Sequence, residues 1–126
     1  MGDPETAMLA FCRLARISHD RIQMQGRDRF LLLAGVAACR AGWPEIAEHC
    51  RQLIVAHNPR HFLATSATLP DALRDNANAG FFQKASALCS FEQAEHLLTQ
   101  HGGVPVVTDE QTAADLAETE LAGLSA

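Results

Sequence analysis

The chain has 126 residues, of which 48% are hydrophobic and 20% charged, with a net charge of −5. That length and balance fit one globular domain and exclude two full domains, a collagen-like chain and a disordered one. A negative charge also opposes general binding to nucleic acid or anionic lipid, both of which require a positive field.

Aromatic residues make up only 6%, Tyr is absent and Ala occurs 22 times. Such small, unbranched apolar mass favours helix over strand, so the predicted fold is all-α. Asp3-Pro4-Glu5 reads as an N-cap, a proline at the first helical position and an acid in the first turn. A first helix is expected over residues 4–24, with Gly26 as its stop. Phe30 to Ala41 is apolar nearly all round; its length, its alanines and Gly42 as a terminator decide for a second helix. Trp43-Pro44-Glu45 opens a third, with Ile46, Ala47, Cys50, Leu53, Ile54 and His57 on one face.

Asn58-Pro59 ends that helix and starts another, expected from Pro59 to Ser66, before Leu69-Pro70-Asp71 breaks the chain into a short turn of helix ending at Arg74. Residues 75–80 read as a loop entering a helix from Ala79 to Cys89. Ser90 with Gln93 makes a capping box for residues 91–101, closed by Gly102-Gly103. Val104 to Val107 is extended. Thr108 with Gln111 repeats the capping-box pattern and is expected to start a last helix that docks Ala113, Leu116, Ala117 and Leu121, opposite Asp109, Asp115, Glu118 and Glu120. The final three to five residues are expected to fray. The resulting architecture is an antiparallel helical-hairpin bundle of six to seven helices in residues 1–103. An extended crossing segment and an acidic helix in 104–126 dock on the same domain.

Charge is unevenly distributed. Residues 1–60 hold eight Arg against six acids (+2), while residues 61–126 hold Arg74 and Lys84 against nine acids (−7). The acidic last helix is therefore expected to fold back on the dense positive region formed by Arg13, Arg16 and Arg21 with Arg27 and Arg29. Aromatic interleaving is missing from that basic stretch, and Asp20 and Asp28 interrupt it, so no nucleic-acid interface is expected.

The four cysteines, Cys12, Cys39, Cys50 and Cys89, contain no Cys-x-x-Cys pair, and buried, reduced thiols are expected. An acidic start lacks the basic region of a secretory signal, and the longest apolar run, residues 30–39, is about half of a membrane span. A cytoplasmic protein with no membrane partner is the expectation.

Glu45 to His49 and Glu92 to His96 agree at four of five positions, 47 residues apart, each at the start of the second helix of a predicted pair. Alanine at their centres allows two helices to cross closely. Leu31, Gly35, Ala38, Gly42, Ala47, Ile54 and Pro59 extend the pattern, and residues 28–61 resemble a tetratricopeptide-like (TPR-like) helical hairpin with right-handed packing. Ala38 and Arg51 stand where that family carries aromatics. The resemblance implies a groove that binds a protein or peptide, with Arg29, Leu32, Val36, Cys39 and Arg40 facing it. The 47-residue offset adds Asn76, Gln83 and Ser86. Arg29, Arg40, Asn76 and Gln83 would then hold a peptide carboxylate or backbone. The alternative is that Leu32, Val36 and Cys39 are core and the arginines are solvated.

Catalytic signatures are missing: there is no Gly-x-Ser-x-Gly, P-loop or His-Glu-x-x-His, and His49 points about 100° away from Cys50 on a helix. A non-catalytic interaction module without cofactor is the leading expectation. One alternative is a small enzyme or metal-dependent regulator using Cys50, His57 and His61 between helices. Another is a homodimeric structural subunit.

Overall fold

The computed structural model describes residues 3–124. Seven α-helices form a bundle among the described residues: α1 Pro4–Asp20, α2 Met24–Ala41, α3 Pro44–His57, α4 Leu69–Arg74, α5 Ala79–Leu88, α6 Phe91–Leu98 and α7 Ala113–Ala122. None of them is long and apolar enough to cross a membrane. The all-α expectation holds, and its reason is visible in α2. Residues 31–38 are buried without interruption because α1 and α3 pack beside this helix while α4 and α5 cover it. A helix enclosed on all sides is apolar all round, and so its periodicity is weak.

Helix α1 starts as its sequence dictates: the Asp3 carboxylate accepts the Thr6 N–H at 2.7 Å, with Pro4 next in the chain. It ends earlier than expected. Gln23 N–H donates to the Ser18 carbonyl at 2.8 Å and Ile22 N–H to the His19 carbonyl at 3.0 Å, which places Ile22 in the left-handed region at φ 57°. This is a Schellman end, a position that glycine normally takes. Gly26 is not the terminator; it lies inside α2, where a Cβ would stand 3.7 Å from Ser18 Oγ. Helices α1 and α2 are thus antiparallel, and Trp43 Nε1 donates to Glu5 at 3.0 Å at their far end. Gly42, at φ 84°, ends α2 through the same hydrogen-bond pattern that Ile22 makes.

The α2–α3 pair is a close hairpin, as expected. A Cβ on Gly35 would meet Leu69 Cδ2 at 2.5 Å and Cys50 Cβ at 3.4 Å, so any side chain at this crossing must push the buried Leu69 side chain aside. The predicted second pair does not pack on itself: α5 lies against α2, and α6 lies against α1. Ala47 and Ala94 are both fully buried near the starts of α3 and α6, but they serve different contacts. Two further boundaries differ from expectation. The segment 59–66 forms only a short 3-10 turn, Phe62–Thr65, whose first N–H groups are capped by His61 Nδ1 accepting from Leu63 at 3.2 Å. Helix α7 is capped by Thr112 with Asp115, whereas Thr108 closes a separate turn on Gln111.

Helix α7 joins the same core through Ala113, Ala117, Leu121 and Leu124, lying along α1 and α3. The expected self-docking of the acidic helix takes place, but through a residue placed on its outer face by the sequence reading. Glu120 is 3% exposed, with Arg13 Nε donating to one carboxylate oxygen at 3.0 Å and Arg16 Nη1 to the other at 3.3 Å. Glu118 meets His49 Nδ1 at 2.9 Å. Leu124 is buried and so does not fray; Ser125 and Ala126 lie outside the described residues.

Candidate functional site

The residues between Met24 and Arg29 begin α2 beside the end of α3, and α5 lies against α2. The three elements enclose an open groove of about 700 Å³. Its floor is aromatic. His61 and Phe62 stack at 4.6 Å, Phe62 and Phe81 stack at 4.6 Å with their planes 12° apart, and Phe82 meets Phe62 edge-on at 5.3 Å. Three- and four-residue steps put Phe81, Lys84, Ala85 and Leu88 on one face of α5, which lines the groove. Phe81 and Leu88 remain 53% and 50% exposed.

Arg29, Arg60 and Lys84 stand around this floor. Most other cations of the chain are engaged: Arg13 and Arg16 with Glu120, Arg27 with Asp28, Arg51 with Glu48, and Arg74 with Asp71. Arg21 approaches His101 at 3.5 Å. Among the described residues, Arg21, Arg29, Arg40, Arg60 and Lys84 have no acidic partner, and three of these five line one groove. Asp28, the carboxylate in the groove, is already neutralised. The buried Arg27 donates to it at 3.1 and 3.0 Å and also to the Leu53 carbonyl at 3.2 Å, while His57 Nδ1 lies 2.5 Å from its other oxygen. The groove is therefore locally positive on a negative protein. Burial pushes the His61 imidazole below its usual range, against the opposing pull of Asp28, and its neutral Nδ1 is free to accept the Leu63 N–H.

Of the residues expected from sequence, Arg29 lines this groove. Arg40 does not: it borders a second, more apolar groove of about 460 Å³ with Phe11, Val36, Phe91 and Glu92. Asn76 and Gln83 are exposed and line neither. Leu32 and Val36 are core residues at 5% and 8% exposure, each with an edge at a groove.

Cys50, His57 and His61 do not come together. Cys50 is fully buried, and its thiol next to that of Cys12, together with burial, raises the Cys12 pKa well above the ordinary thiol value. His57 and His61 instead face the groove. Among the described residues, no three His, Cys, Asp or Glu side chains converge in a geometry able to hold a metal. All four cysteines are unpaired thiols.

Sequence reasoning missed Arg60, Lys84, Phe62 and Phe81. The spacing of Phe81, Lys84 and Leu88 was the available signal; the expected helix over 59–66 concealed the other two. Comparison of the chain with protein-family models, with curated proteins and with solved structures finds no match.

Proposed function

We propose that this chain is a small helical protein-interaction module, with a binding rather than a catalytic role, that captures an acidic peptide segment of a partner protein in the groove between α2, α3 and α5. The gathering of three unpaired cations around an aromatic floor carries the reading. Carboxylates of a bound segment would meet Arg29, Arg60 and Lys84, while an apolar side chain would lie on Phe81 and Leu88. An apolar anchor of this size contributes about 2 kcal/mol on burial, more than any single exposed ion pair, each of which supplies about 0.2–1 kcal/mol. The anchor would thus supply affinity, and the cations would supply selectivity and speed of encounter. Four free thiols are compatible with a reducing compartment, and we place the protein in the cytoplasm.

The test is titration of the ¹⁵N-labelled protein with a short acidic peptide containing leucine, against a lysine-substituted control. Amide shifts at Phe81, Lys84 and Arg60 are expected with the acidic peptide alone. In Arg29→Ala/Lys84→Ala the affinity should fall about 2- to 30-fold. Equal binding of both peptides, or shifts confined to another surface, would reject the assignment.

A further inference from the structure

We infer that the chain supplies its own occupant for this groove: the acidic turn at residues 108–111 of one copy docks into the cationic groove of a second copy, giving a dimer. The inference rests on the groove being the docking surface, and adds the identity of one ligand.

The turn is preformed. Thr108 Oγ1 accepts the N–H of Glu110 at 3.3 Å and of Gln111 at 3.2 Å, and Thr108 N–H donates to the Gln111 carbonyl at 3.4 Å. Asp109 and Glu110 form its exposed tip. Just before it, Val106 and Val107 are 76% and 46% exposed in a stretch without regular secondary structure. Most carboxylates in the chain cap a helix or pair with a side chain. Among the described residues, Asp20, Glu45, Glu95, Asp109 and Glu110 do neither. Asp109 and Glu110 are the one adjacent pair in that set, and exposed valines precede them. Two carboxylates beside apolar side chains complement three cations beside Phe81 and Leu88. A turn already closed loses little conformational freedom on docking.

Geometry directs the contact between copies. Helix α7 runs in the same direction as α1 and α3: Glu118 meets His49, while Leu124 shares a cavity with His19, Leu53 and His57. His57 borders the groove. The groove is therefore near the end of α7, and the acidic turn precedes its start, about 15 Å away at 1.5 Å per residue. A turn at the opposite end of the bundle cannot fold into its own groove. Two equivalent turn-to-groove contacts related by a two-fold axis close a dimer.

The experiment is analytical ultracentrifugation of the full chain across a dilution series at low salt, using the native chain, Asp109→Lys/Glu110→Lys and Arg29→Glu/Lys84→Glu. All four positions are exposed, and circular dichroism checks that each variant folds. The native chain should dimerise, and each variant alone should weaken self-association about tenfold or more. Mixing the two variants should restore association, because each groove then meets a turn of opposite charge.

A native chain that stays monomeric at the highest concentration it reaches, or a mixture that fails to associate, overturns the inference. A free peptide with the sequence of residues 104–111, added to the ¹⁵N-labelled chain, is expected to shift the amides of Phe81 and Lys84. If unrelated acidic peptides shift these amides while the native chain stays monomeric, self-docking fails and the acidic-peptide groove stands. If no acidic peptide does so, both fail.

Discussion

Removing Arg13 should destabilise the protein more than removing Glu120, although the two are partners in the same ion pair. The Glu120 side chain is 4% exposed, whereas Arg13 is 29% and Arg16 49% exposed. In Arg13→Ala the buried carboxylate keeps only Arg16, and Gly103 loses the guanidinium N–H that reaches its carbonyl at 3.1 Å. Stranding a buried charge costs about 3–5 kcal/mol; the remaining arginine reduces this to about 3 kcal/mol. In Glu120→Ala the two guanidinium groups turn to water, and the loss is about 2 kcal/mol, with Arg16→Ala below about 1 kcal/mol. Urea denaturation followed by circular dichroism measures these differences, with an unchanged m-value confirming that only stability has moved. The double variant Arg13→Ala/Glu120→Ala should fall short of the sum by about 1–2 kcal/mol, as residues in contact do. Because the carboxylate is buried, the ranking should persist at about 0.5 M salt. Equal losses for Arg13→Ala and Arg16→Ala, or a loss under about 0.5 kcal/mol for Arg13→Ala, would show that Glu120 does not anchor α7.

Three other outcomes follow from local geometry. Ile22→Gly relieves a β-branched residue held at φ 57° and 83% exposed, and should stabilise the chain by about 1 kcal/mol, read as a higher urea midpoint. Gly35→Val pushes methyl groups into Leu69 and Cys50 and should cost about 2 kcal/mol or more by the same measurement. His61 is expected to titrate below 6.5 in the folded chain, so its contribution to stability is full above that pH. It declines as pH falls through the lowered native value, when protonation of Nδ1 removes the acceptor for the Leu63 N–H. An NMR titration should show the His61 ring shift together with faster exchange of the Leu63 amide, and a ring midpoint above 6.5 would contradict this account.

The helices were legible from sequence because their signals are local. Asp3-Pro4, Trp43-Pro44, Ser90 with Gln93, and Gly42 and Gly102 act through capping hydrogen bonds or backbone restraint within one turn of chain, and the composition settled helix against strand. The same locality explains the misplaced ends. Ile22 adopts a glycine-like conformation because the α1–α2 packing brings the chain round there, and Thr108 and Thr112 both carry a capping pattern, of which only the second precedes a helix that finds a core to bury. Opposite charge in the two halves of the chain foretold that α7 would dock; which acid would be buried depended on the rotation of α7 against Arg13 and Arg16. The groove was the least legible feature, since Arg29, Arg60 and Lys84 belong to three separate segments and no spacing rule links them. The sequence by itself determined the helical class, the caps and the charge gradient, all of which depend on near neighbours or on composition. Tertiary structure alone decided that α5 lies on α2 instead of pairing with α6, and hence which cations were left without partners around the Phe62–Phe81 stack, because ion pairing and burial depend on distances between segments remote in the chain.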